Sequence, residues 1–284
     1  MQLFIIKDII KKIIKKMKNK NLNQAFKGNQ KTFNWCGYDW ECCMEGGRII
    51  HTNLPWYWMD KEQVLIDENS SEKPIYLYLT EKEKTVNYWD GKTYHPNQAG
   101  GTMRSTKSFS YGTFSADIKS PHGFNLWPSF WLSGDNNWPP EIDIYEAWSY
   151  DDNYFVWTQS KFPWFNPGWK TTNNIHYNND NIDHTHIGSN NISIFKQCKN
   201  PANNFVNYKV EWFPDSITFY VNNKVVRKIT DDTCRKLVEN LTHKDKGFEM
   251  DVIFNVWCEN PEQFEVHLDT PMVIKNFKYE PYNK

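Results

Sequence analysis

From residue 34 to residue 284 the apolar side chains come in short, partly alternating runs broken by turn-forming residues, the period-2 pattern of half-buried strands. Residues 75–80, 110–120, 207–213 and 216–221 show it most clearly. Asn222 and Asn223 separate the last of these runs from residues 224–229, and because Asn tolerates positive φ the pair predicts a two-residue hairpin turn. Helical periodicity is nearly absent here. Many short strands in a chain of 284 residues imply two packed sheets around one sizeable core, and nothing after residue 34 reads as a linker or repeat. The expected architecture is all-β: a β-sandwich jelly roll with a substrate cleft across its concave sheet.

One helical pattern stands apart. Phe4, Ile6, Ile9, Ile10, Ile13, Ile14 and Met17 recur at helical spacing with lysines between them. The chain therefore divides into a basic amphipathic extension, residues 1–30, and a jelly-roll domain, residues 31–284. The first twenty residues hold seven lysines and one aspartate, a formal charge of +6, which leaves −7 on the rest. Two accounts of the extension stand level: a helix that docks on a membrane surface or in a partner's groove, and a charge-solubilised tail or the product of an upstream start codon.

The run Pro140-Glu141-Ile142-Asp143-Ile144-Tyr145-Glu146 places three carboxylates in an otherwise apolar, strand-forming stretch. Burying such groups together costs free energy through desolvation and like-charge repulsion, so the cluster calls for a chemical reason. Residues i and i+2 of a strand share a face, which pairs Glu141 with Asp143 and turns Glu146 away. One inserted residue reverses that parity, so the spacing predicts a β-bulge between Asp143 and Glu146. Two glutamates in one groove suit glycosidic bond cleavage, with one carboxylate attacking the anomeric carbon and the other, kept protonated by its neighbours, serving the leaving oxygen. A solvated edge strand with acids on its outer face is the competing account.

The surroundings weigh against that competitor. Trp127 and Trp131 lie just upstream and Trp138 immediately precedes the acids. An indole face packs on a pyranose while its N–H bonds a hydroxyl, although any single Trp is more often core.

These residues together resemble glycoside hydrolase family 16. Glu141, Asp143 and Glu146 match its bulged Glu-x-Asp-x-x-Glu signature, and Leu126-Trp127-Pro128-Ser129-Phe130-Trp131 matches the segment before it. Arg104-Ser105-Thr106-Lys107 and Tyr111-Gly112-Thr113-Phe114 look like an upstream strand pair of the family, so the resemblance runs over roughly residues 34–281. It implies a retaining, endo-acting hydrolase of a β-linked polysaccharide of the laminarinase, agarase or carrageenase kind, with Glu141 as nucleophile, Asp143 as its helper and Glu146 as acid/base. The substrate-binding residues expected are Trp127, Trp131, Trp138, His176 and Arg104. His176 could instead be a satisfied core histidine, and Arg104 a salt-bridge partner. Trp164, Trp169 and Trp257 are further candidates for an aromatic floor, and residues 162–169 read as a cleft-lining loop.

No cofactor is required by this chemistry. Relatives often carry a structural calcium ion, but no ligand run here identifies one, and the six cysteines lack metal spacing. They are expected as free, buried thiols, with the even count leaving disulfides open. His184-x-His186 with Asp183 is a weak metal pattern in what reads as an Asn-rich loop. The partner expected is a polysaccharide, weakly favouring neutral chains given the −7 domain, and a monomer is expected. Nucleic acid is set aside, because the domain is acidic and lacks a binding motif. Lysines interrupt the N-terminal apolar stretch before it reaches the length of a secretory signal, and no transmembrane span occurs. Export without a signal, or carriage on a phage particle, would bring the enzyme to an extracellular polysaccharide. The alternative class is a non-catalytic jelly-roll carbohydrate-binding or virion structural protein, which would need the indoles and not the acids.

Overall fold

The computed structural model describes residues 31–44, 48–51, 53–88, 90–121, 126–134, 138–147, 170–179, 182–193, 201–230, 232–239, 249–258 and 270–283. The extension at residues 1–30 and the segment expected as a cleft-lining loop, residues 162–169, lie outside them. Two large antiparallel sheets dominate. The eight-stranded sheet runs in the order Thr32–Trp35, Tyr38–Glu41, Thr102–Ser105, Met250–Cys258, Leu126–Gly134, Glu141–Glu146, Lys170–Asn179, Ile182–Ser193. The seven-stranded sheet runs Lys224–Ile229, Ser216–Val221, Val206–Phe213, Gly112–Lys119, Met272–Pro281, Ile75–Leu77, Val64–Ile66. A small sheet of Ile50–His51, Leu54–Met59, Gln98–Gly100 and Leu79–Glu81 contains the one parallel pairing among the described strands, Gln98–Gly100 against Leu54–Met59. This is the expected β-sandwich.

The two large sheets differ in how their strands are buried, and the difference locates the site. Gly112–Lys119 and Val206–Phe213 alternate buried and half-buried residues, as strands with one wet face should. Met250–Cys258 is buried at every position and Leu126–Gly134 at all but Trp127. Both faces of these central strands are covered. Their inner face builds the core: Phe130 stacks on Phe254 at 4.4 Å, and Phe277 from the opposite sheet meets them edge-on at 6.4 and 6.0 Å. Tyr145 and Tyr208 make a second bridge between the sheets at 4.3 Å. Burying each of these rings contributes about 1.5–3 kcal/mol. Their outer face is covered by large and polar side chains that belong to the site.

The Asn222-Asn223 turn forms as expected, with φ of 47° and 63° at its two residues. Residues 75–80, expected as one strand, divide at Tyr78 into Ile75–Leu77 and Leu79–Glu81, which join different sheets. The Asn-rich stretch holding His184 and His186 is a strand, Ile182–Ser193, rather than a loop. Ladder bonds to Lys170–Asn179 override its turn-like composition. One short helix, Thr233–Glu239, had no counterpart in the sequence pattern. No helix among the described residues is long and apolar enough to cross a membrane. Cys42, Cys43, Cys234 and Cys258 are buried thiols outside any disulfide, as expected, whereas the Cys36 thiol is exposed; Cys198 lies outside the described residues.

Candidate active site

Residues directly opposite each other in an antiparallel pair share a face, so the register fixes which side chains meet. Phe130 faces Tyr145, but the next residue, Trp131, faces Asp143, which leaves Ile144 as the inserted residue of a bulge. The pairing with Lys170–Asn179 shifts at the same place, between Asp143 and Glu146. The bulge reverses parity as the spacing demanded, and all three acids project from the outer face. They lie in three rows across the sheet. His176, Glu141, Ser133 and Asp251 form one. Asn174, Asp143, Trp131, Ile253 and Arg104 form the next, and Thr172, Glu146, Ser129, Asn255 and Thr102 the third.

Two indoles bracket the acids. Trp138 donates its N–H to Glu141 Oε2 at 2.9 Å, and Trp127 donates to Glu146 Oε1 at 3.0 Å. His176 Nε2 lies 3.4 Å from Glu141 Oε1 and 3.3 Å from Asp143 Oδ2, with its ring 5.7 Å from that of Trp138. Glu146 Oε2 receives Asn174 Nδ2 at 2.5 Å and the Thr172 hydroxyl at 3.5 Å. Asp143 and Glu146 are 3% and 5% exposed.

Burial pushes the Glu141 carboxyl well above the ordinary carboxylate range, and the charge of Asp143 beside it pushes further, while His176 pulls the other way. Asp143 is raised by burial and then by Glu146, against hydrogen bonds from Glu141 and Asn174. Glu146 is raised by burial against the pull of Trp127, Asn174, His176 and Thr172. Three neighbouring acids, two buried and Glu141 half-buried, do not all ionise near neutral pH, so the cluster retains protons there.

The other expected residues divide. Trp131 is 6% exposed and its N–H goes to Asn255 Oδ1 at 2.7 Å, making it a floor residue, whereas Trp138 at 54% exposure presents an open ring. Trp257 lies on the same face, edge-on to Trp127 at 5.6 Å and to Trp131 at 6.2 Å. Trp164 and Trp169 fall outside the described residues. Of the two roles open to Arg104, the ion pair is the one the structure forms: its two terminal nitrogens bond Glu41 and Asp251. Asn174, Thr172 and Asn255 escaped the sequence reading. Asn255 had left a signal, since Asp251 and Asn255 stand four apart in an apolar strand and therefore share its polar face. Asn174 and Thr172 could be found only through the register that brings them to the acids.

The chain is similar to several known proteins. Endo-1,3-1,4-beta-glycanase EglC of Rhizobium meliloti (strain 1021) is 38% identical over 61 residues, 20% of this chain and 13% of that protein. Galactan endo-beta-1,3-galactanase of Flammulina velutipes is 42% identical over 43 residues, 15% of this chain and 17% of that one. These matches span less than a fifth of either relative. A LamA variant from Zobellia galactanivorans, crystallised with laminaritriose and laminaritetraose, superposes with a TM-score of 0.59 over 89% of this chain and 94% of its own at 14% identity, a likeness of fold. The family model for glycosyl hydrolases family 16 matches residues 54–265, well over half of the chain. With its sandwich fold, the chain belongs to glycosyl hydrolases family 16.

Proposed function

We propose that this chain is an endo-acting hydrolase of a β-linked glucan or galactan that works by retaining double displacement. The observation that carries the reading is the bulge at Ile144, which brings Glu141, Asp143 and Glu146 onto one face between the N–H groups of Trp127 and Trp138. Glu141 in its ionised form attacks the anomeric carbon, while Glu146 passes its proton to the departing glycosidic oxygen. Glu146, now a carboxylate, takes a proton from water, whose oxygen displaces Glu141 and frees the sugar with its original configuration. Asp143 and His176 hold the nucleophile in place and share its charge. Asn174 and Trp127, which both donate to the Glu146 carboxyl, hold it in place for the leaving oxygen.

The substrate class follows the relatives' names, which point to 1,3-1,4-β-glycans, β-1,3-galactan and laminari-oligosaccharides. A binding module would have no use for three mutually repelling acids, two of them buried, which weighs against the non-catalytic alternative. The test is a panel of β-glucans, β-galactans, agars and carrageenans assayed for new reducing ends, with Glu141→Gln and Glu146→Gln alongside. Both variants are expected to lose at least about a hundredfold in kcat. Wild type that binds a glycan but cuts none would establish the binding module, and proton NMR showing inverted first products would exclude double displacement.

A further inference from the structure

One donor atom from each of Glu141, Asp143 and His176 falls within 4.8 Å of the other two. The spacing is more informative than the proximity. A tetrahedral zinc ion bound to nitrogen and oxygen at about 2.0–2.1 Å has its ligand atoms about 3.3–3.4 Å apart, the edge of the tetrahedron. Two of the three edges match it: His176 Nε2 stands 3.4 Å from Glu141 Oε1 and 3.3 Å from Asp143 Oδ2. A second observation is independent of that spacing. Asp143 is 3% exposed, and its Oδ2 has no hydrogen-bond partner among the described residues although it is turned towards this group. Trp138 holds the other Glu141 oxygen, leaving Oε1 on the side of the imidazole.

We propose that Glu141, Asp143 and His176 form an inhibitory site for a borderline divalent ion such as Zn2+, whose occupancy withdraws the nucleophile from substrate. One nitrogen and two carboxylate oxygens with a fourth position left to water is a ligand set that zinc accepts. Calcium and magnesium, hard ions that take oxygen ligands, are disfavoured by the imidazole nitrogen. The ion binds the deprotonated carboxylates and the neutral imidazole, so it competes with protons as well as with glycan. That the ion inhibits rests on Glu141 being the nucleophile; that it binds does not.

The experiment measures binding first and activity second. Titration of the intact protein with ZnCl2 by calorimetry at pH 7, repeated with CoCl2 to read the visible absorption of tetrahedral cobalt, should give one ion per chain. His176→Ala should weaken binding roughly tenfold or more and abolish the cobalt spectrum. Asp143→Asn, which preserves shape, should do the same, and matching thermal unfolding of the variants shows that they fold. His95→Ala, an exposed histidine paired with Thr85, should leave binding unchanged. Zn2+ should raise apparent KM for glycan without lowering kcat. Binding that is absent, or that survives His176→Ala and is lost in His186→Ala, overturns the site. A protein that binds zinc in this way but cuts no glycan would keep the site and overturn the hydrolase reading.

Discussion

Replacing Arg104 with Met would leave Glu41 and Asp251 facing each other across the floor of the outer face without a counter-charge. Arg104 and Glu41 are paired across neighbouring strands, and Asp251 lies two residues from Ile253, the partner of Arg104 on its other side. The side chains of Arg104, Glu41 and Asp251 are 13%, 14% and 4% exposed, so solvent screens them little. The Ser108 hydroxyl, 2.7 Å from Asp251 Oδ1, is too weak a donor to replace a guanidinium. Removing one member of a buried ion group typically costs about 3–5 kcal/mol, because the remaining charges stay desolvated. At an m-value of about 2 kcal/mol/M, the urea midpoint should fall by roughly 1.5–2.5 M. Adding Glu41→Gln and Asp251→Asn to the same chain removes the stranded charges and should restore most of the loss. Equilibrium urea unfolding followed by tryptophan fluorescence measures both. An Arg104→Met protein within about 1 kcal/mol of wild type but with a raised KM for glycan would refute the reasoning and make Arg104 a substrate ligand.

Three further outcomes follow from the site and the fold. Trp127→Phe deletes an N–H that stabilises the Glu146 carboxylate, so the alkaline limb of the kcat/KM profile should move up, by about one pH unit for a hydrogen bond to a charged group; a limb that stays put or moves down counts against Glu146 as the acid. The folded-state pKa values of Glu141, Asp143 and Glu146 lie above their unfolded ones, so their contribution to stability is complete below the unfolded values and is lost as pH rises through the folded ones. Glu141→Gln should therefore raise Tm by a few degrees near pH 8 and by less near pH 4, and a gap that shrinks with rising pH, read by scanning calorimetry, contradicts this. At the exposed Asn223, with φ of 63°, Asn223→Val should cost about 1–2 kcal/mol in chemical denaturation through left-handed backbone strain alone, whereas no loss would mean the turn has another conformation.

How far the sequence discloses this molecule depends on whether a feature is local. The hairpin at Asn222 and Asn223 is local, and so is the bulge: three acids that must share a face at offsets of two and three residues require one extra residue, and Ile144 is it. The strand Ile182–Ser193 is not local. Its Asn and Gly content reads as loop, and it extends because Lys170–Asn179 offers it a ladder. Arg104 is the instructive case. Its sequence neighbours suit a salt bridge and a sugar contact equally, and what decides is a register that sets Glu41 opposite it and Asp251 diagonal to it, from positions 63 and 147 residues away.

The same distinction separates the three acids proposed as catalytic from the groups that tune them. Acids that attack and protonate one bond have to be a few ångströms apart, and a single bulged strand can supply all of them, which is why their spacing is visible in six residues of sequence. Their pKa values depend on what the neighbouring strands bring: His176 and Asn174 from one side, Trp127 from the other. Those positions are set by pairing alone. A one-residue slip of Lys170–Asn179 would turn Thr172, Asn174 and His176 away and present Asn173 and Ile175 in their place, leaving the acids intact and their protonation uncontrolled. Chemistry in this fold therefore depends on register as much as on the acids themselves.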